Sequence, residues 1–229
     1  IKFIENNFKN KIVLVEKPLF VYYNNFIPKK NKYYVGYNMR FNPILNYIKL
    51  FLKNKKTYNV NIICGSYLPD WRKTRDYTKS YSASKKKGGG VLLDLSHELD
   101  YIRWLYGDYE IKYSSIKKIS NLKINTEDYA DILLFNKKKI HINLSLNYFS
   151  KINKREISIN GEDFSLLADL IKKNIEISYK NRMYKKKFNF DRNKSYLLQA
   201  KNLLKKRNKL CDYNEGIKLM KIIDFLRSS

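Results

Sequence analysis

The chain has 229 residues, 44% hydrophobic and 15% aromatic, which is the composition of a globular protein and excludes wholesale disorder; no stretch approaches the ~20 apolar residues of a membrane span, and Ile1 to Lys11 has no signal-peptide core, so a cytoplasmic protein is expected. Two cysteines, Cys64 and Cys211, make neither a disulfide framework nor a metal cluster, and no metal site is expected. The net charge of +26 suggests nucleic acid, yet Lys, Asn, Ile and Tyr, all with AT-rich codons, make up 109 of the 229 residues, and the lysines are scattered, so codon bias accounts for much of the charge and no nucleic-acid or membrane partner is expected.

In chain order, Ile1 to Lys9 reads as the end of a helix with Phe3, Ile4 and Phe8 on one side. Lys11 to Val15 is a short continuous apolar run, the pattern of a parallel strand buried on both faces. It stops at Glu16-Lys17-Pro18, at the carboxyl end of the strand, where open α/β sheets place ligands. Tyr33 to Tyr37 reads as a second strand. Pro43 opens a helix carrying Ile44, Leu45, Ile48, Phe51 and Leu52, and Thr57 to Tyr67 as a third strand. Leu68 to Lys87 is a long polar loop, and loops of that length in compact domains are usually functional. Gly88-Gly89-Gly90 closes it, and Val91 to Tyr106 reads as one amphipathic helix.

From Tyr109 to about Met183 the period changes to two, as in Ala130/Ile132/Leu134, Ile140/Ile142/Leu144/Leu146 and Ile157/Ile159, with hairpin signals such as Asn160-Gly161. These are neighbouring strands of an antiparallel sheet. Helices over Lys194 to Arg207 and Tyr213 to Arg227 close the chain. The fold class is therefore α/β followed by α+β: the tail of a doubly wound domain, then a large, mostly antiparallel open sheet.

Two segments carry chemistry. Lys17 is either a solvated lysine at a strand end or a group held beside a cofactor, where its ammonium polarises a substrate hydroxyl. Asp94 and His97, three apart, would share a helix face as a carboxylate–imidazole base pair. The bland alternative is a helix cap and a structural histidine. The other histidine, His141, alternates with Ile140 and Ile142 on the polar face of the sheet.

The order of Val15-Glu16-Lys17-Pro18-Leu19, then Gly36-Tyr37-Asn38-Met39-Arg40-Phe41-Asn42-Pro43, then Gly88-Gly89-Gly90 through Asp94, His97 and Asp100 to Trp104, resembles the Gfo/Idh/MocA family of NAD(P)-dependent oxidoreductases. The stretch Tyr67 to Arg72 and the Ser80-Tyr81-Ser82-Ala83 that follows are most similar to members found with bacterial surface-sugar biosynthesis. The resemblance implies an enzyme that oxidises or reduces a CH–OH group of a sugar, sugar nucleotide or cyclitol, with NAD or NADP as cofactor and a homo-oligomer built through the open sheet. By the same implication Lys17, Asp94 and His97 are catalytic, and Glu16, Lys17 and Pro18 border the cofactor. Arg40, Trp71 and Arg72 border the substrate. The implied division is 1–32 for the end of the dinucleotide-binding domain, 33–212 for the substrate and oligomerisation domain, and 213–229 for a closing helix.

Two departures stand out. Many members place the acid and the histidine of the third motif four apart, against three here. The sequence also holds no Gly-x-Gly-x-x-Gly, and Gly88 to Gly90 follows a loop, so it is no dinucleotide turn. Most of the cofactor domain is accordingly expected to precede Ile1, leaving this portion inactive alone. Two other readings remain at this level: a non-catalytic oligomerisation scaffold of the same descent, and a basic domain that binds polyanions.

Overall fold

A computed structural model describes residues 1–228. Helix α1 (Lys2–Asn7) leads into strand β1 (Ile12–Val15), which pairs in parallel with β2 (Lys32–Val35). Asn42 then caps helix α2 (Pro43–Phe51): its side chain accepts from the backbone N–H of Ile44, with Pro43 in the first turn. Strand β3 (Thr57–Gly65) follows, and four short 3₁₀ turns occupy residues 68–87. The single helix expected over Val91 to Tyr106 is two helices. The first, α3 (Val91–Asp94), ends at Leu95, whose ψ of 25° leaves the helical region, and α4 (His97–Tyr106) restarts at once.

The remainder is β4 (Tyr109–Lys117), β5 (Tyr129–Asn136), β6 (His141–Asn147), β7 (Lys154–Gly161), β8 (Phe164–Asp169), β9 (Asn174–Tyr179) and β10 (Arg182–Lys187), then α5 (Asn193–Leu204), β11 (Cys211–Asp212) and α6 (Tyr213–Ser228). Eight strands form one sheet in the order β10-β9-β8-β7-β3-β6-β5-β4. Only β3 and β6 run parallel, so the sheet is mostly antiparallel. Its core face carries alternate residues such as Val60, Ile62, Ile142, Leu144, Ile157 and Ile159, each at most 2% exposed, under α2, α3 and α4.

The second sheet has three strands in the order β1-β2-β11. Strand β1 was expected to be buried on both faces; it lies instead at the edge of this small sheet, half-buried, with Ile12 exposed. A boundary between residues 32 and 33 would cut β2, because Lys32 to Val35 all pair with β1. Helix α6 crosses the same sheet, close enough that a Cβ on Gly216 would press on Val35. Among the described residues no helix is long and apolar enough to cross a membrane.

Candidate active site

The carboxyl ends of β1 and β2 meet at the Val15 carbonyl, which accepts from Gly36 N–H at 2.7 Å. Glu16 is exposed there, and Lys17 turns inward, its peptide bond to Pro18 being cis. The Lys17 Nζ donates to the Asp94 carbonyl at 2.5 Å and to the Leu93 carbonyl at 3.4 Å, closing the free end of α3. Burial pushes the Lys17 ammonium below its ordinary pKa; the charges of Asp94 and Glu98 pull it back up, and that of Arg155 opposes them.

The Asp94 carboxylate is claimed by tyrosines. Tyr148 Oη donates to its Oδ2 at 2.6 Å, and Tyr81 lies against the same carboxyl. The expected base pair with His97 is thus not formed, since the break at Leu95 separates the two side chains that a continuous helix would have aligned. His97 begins α4 with its ring edge-on to Tyr37, centroids 5.6 Å apart, and its buried Nδ1 has no hydrogen-bond partner. Burial, then the charges of Lys17 and Arg155, hold its pKa well below the ordinary value, so the imidazole is neutral.

Beyond Asp94 lies a cleft of about 520 Å³, lined by Leu68, Trp71, Arg72, Arg75, Tyr77 and Tyr81 among others. Trp71 connects the two, packing edge-on to Tyr148 at 5.3 Å while its Nε1 donates to Ser66 Oγ at 2.7 Å. The structure therefore gathers Lys17, Asp94, His97, Trp71 and Arg72 around one region. It does not bring Arg40 there. That side chain is 2% exposed, donates to Asp100 at 2.7 Å and to Glu215 at 2.9 Å, and joins α4 to α6, so it has no N–H to spare for a substrate. The glycine run is likewise occupied by its own chain. A Cβ on Gly89 would strike the carbonyls of Tyr81 and Ser82, and Gly90 (φ 117°) backs onto Glu127, which leaves no cradle for a phosphate.

Tyr148 escaped the sequence reading, which quoted Tyr37 and Tyr81 only within longer motifs and gave them no role. The signal for Tyr148 was available: the inward alternation of Leu144 and Leu146 runs on to residue 148, where a hydroxyl among buried positions needs a partner.

The chain matches the family model GFO_IDH_MocA_C, described as the oxidoreductase family's C-terminal alpha/beta domain, over residues 52–229. No curated protein matches it. Among solved structures it is similar to UDP-N-acetylglucosamine 3-dehydrogenase GnnA from Acidithiobacillus ferrooxidans, with TM-score 0.65 and 14% identity over 85% of this chain and 60% of that one. It is also similar to the WlbA dehydrogenase from Bordetella pertussis in complex with NADH and UDP-GlcNAcA, with TM-score 0.69 and 16% identity over 96% and 69%. A levoglucosan dehydrogenase in complex with NADH and levoglucosan gives TM-score 0.78 and 13% identity over 94% and 71%. The chain thus spans about 60% of the length of the first of these structures. With a family model covering most of its length and the same fold in these neighbours, the chain belongs to the Gfo/Idh/MocA oxidoreductase family.

Proposed function

We propose that the chain supplies the substrate side of an NAD(P)-dependent dehydrogenase that acts on a CH–OH group of a sugar, sugar nucleotide or cyclitol. The observation that carries this reading is the convergence of Lys17, Asp94 and His97, from three separate segments, beside a cleft with aromatic and cationic walls. The residues present fit the nicotinamide end of such a cofactor: Glu16, Lys17 and Pro18 sit at the carboxyl end of a parallel strand pair. They do not fit its pyrophosphate, because the glycine run is filled.

Bound there, NAD or NADP supplies a hydride acceptor. The neutral His97 imidazole takes the hydroxyl proton as the C–H bond breaks, leaving a carbonyl. The Lys17 ammonium faces the oxygen as negative charge develops on it. Asp94, fixed by Tyr148, offsets the burial of that ammonium. Trp71, Tyr77 and Tyr81 offer faces for a sugar ring or base, and Arg72 and Arg75 offer forks for a phosphate or carboxylate. On the same reading a second copy of the chain covers the open face of the large sheet.

The test is reduction of NAD or NADP by the complete product of the reading frame that encodes this chain, across UDP-sugars, aldoses and inositols. Turnover with one of these classes is expected, and Lys17→Ala and His97→Ala should each lower kcat roughly 10²–10⁴-fold. A folded product that reduces neither cofactor with any of them would leave the scaffold reading in its place.

A further inference from the structure

Immediately after His97, the chain places a carboxylate where solvent does not reach. Glu98 is 0% exposed, in the first turn of α4. Its Oε1 accepts from Arg155 Nε at 2.7 Å. Arg155 belongs to β7 and stands opposite Cys64 of β3, on the face where Ile157 and Ile159 pack into the core. The guanidinium thus rises from the sheet at a position that the strand pattern otherwise gives to isoleucine. The Cys64 thiol lies against Glu98, while Glu98 Oε2 and Tyr101 Oη have no hydrogen-bond partner.

A fully buried carboxylate with one oxygen unpartnered, held by an arginine whose side chain is 25% exposed, is a poor device for stability alone, since apolar residues of similar volume often serve a core as well or better. Its place suggests what else it does. It joins the sheet to the first turn of α4, one residue from the imidazole. We propose that Arg155, acting through Glu98, is a positioning residue: it clamps the start of α4 to β7 and so fixes where the His97 ring stands relative to Lys17.

The clamp also sets the charge around that ring. The titratable groups near His97 are Lys17 from the end of β1, Arg155 from β7, Asp94 from α3, Tyr37 from the segment after β2, and Glu98 on its own helix, with Cys64 of β3 behind Glu98. Burial is the largest influence, and the two cations add to it in keeping the imidazole neutral. Glu98 bears the opposite charge and so cannot add to that effect. Removing Arg155 should therefore raise the His97 midpoint and removing the Glu98 charge should not, whereas simple loosening of the core would bring His97 toward ordinary behaviour in both cases.

The chain has two histidines, and His141 lies exposed on the opposite face of the sheet. Imidazole NMR titration of the complete product, with the His97 signal assigned by its loss in His97→Gln, reads this ring directly. The proposal rests on the reading of His97 as proton acceptor, but this readout needs neither cofactor nor turnover, so the two can fail separately. Arg155→Met should raise the His97 titration midpoint, and Glu98→Gln should leave it in place or lower it. An unmoved midpoint in Arg155→Met, or a rise in both variants, overturns the proposal. Should Arg155→Met not fold, the apolar double variant Arg155→Met with Glu98→Leu removes the pair without stranding a charge. It should raise the midpoint too, and an unmoved value there also overturns the proposal.

Discussion

The Arg40 guanidinium spends its N–H groups inside the protein, on both oxygens of Asp100, on Glu215 and on the Leu210 carbonyl. Removing one partner of a buried pair strands the other charge, so Arg40→Ala is expected to cost about 3–5 kcal/mol in chemical denaturation. Arg40→Lys should recover only part of that, because an ammonium cannot span two carboxylates with a planar fork. An unchanged denaturation midpoint in Arg40→Ala would return Arg40 to the list of binding groups. Glu5 gives a pH signature of its own. Burial acts to raise its pKa, yet backbone N–H donors from Lys30 and Lys29, with Asn31 and Tyr33, outweigh burial and hold it at about 2 instead of 4.5. A depressed carboxylate stabilises the fold above its unfolded pKa, so this contribution is full above about pH 4.5 and fades as pH falls toward 2. Melting curves of Glu5→Gln should lose that part of the acid dependence, and identical acid limbs in parent and variant would contradict it. These residues also show where sequence reading stops. Lys17 and His97 were legible because a motif order pointed at them. Arg40 was misplaced because nothing local reveals that Asp100 and Glu215, distant in the chain, fold onto it.

Among the elements, the turn before α3 does most to shape the cleft. Gly89 lies against the carbonyls of Tyr81 and Ser82, which belong to a 3₁₀ turn on the cleft wall. Backbone atoms cannot swing aside as a side-chain tip can, so Gly89→Ala must displace that turn. Gly107 is the matched comparison: its φ of 84° is strained for alanine, but nothing lies within 4 Å of the added carbon. Gly107→Ala should therefore cost only the conformational penalty of a backbone region that glycine alone adopts readily, ~1–3 kcal/mol, and Gly89→Ala more, read as a lower melting temperature. Equal melting temperatures for the two variants would show that the turn yields freely. Period-two patterning located β5, β6 and β7, where one face is core and the other is not. It gave no warning of β10, in which every residue is exposed, so that no alternation exists to be read. The two-residue β11 is held by pairing with β2 and has no pattern of its own. The α3–α4 break was hidden for the opposite reason: Val91 to Leu95 and Glu98 to Ile102 are all buried, and a continuous buried run looks the same with or without a kink.

At the scale of the molecule, four strands of the large sheet stand out for their lack of cations. Lys and Arg number 47 of 229 residues, yet β3, β5, β6 and β8 contain none. Outward positions there are mostly neutral or apolar: Asn61 and Asn143 hydrogen-bonded at 2.8 Å across β3 and β6, with Ile63 and Leu167 exposed beside them. In a chain of net charge +26, the lack of cations on these strands suits contact with a second copy, with Lys154 and Lys185 standing on the same face at β7 and β10, because a two-fold contact sets the patch against itself and brings like charges together. A partner of opposite charge would favour the reverse, a lysine-rich face. The composition therefore fits a second copy of the chain, as proposed above. Light scattering should give the mass of a dimer or a multiple of it, and Ile63→Lys, exposed at 38% and so harmless to the core, should shift the population to monomer with an unchanged melting temperature. Lowering the salt should shift the variant further toward monomer, since screening is what would let two such faces approach again. A parent chain that is monomeric at micromolar concentration, or a variant of unchanged mass, would mean that this face meets something other than itself.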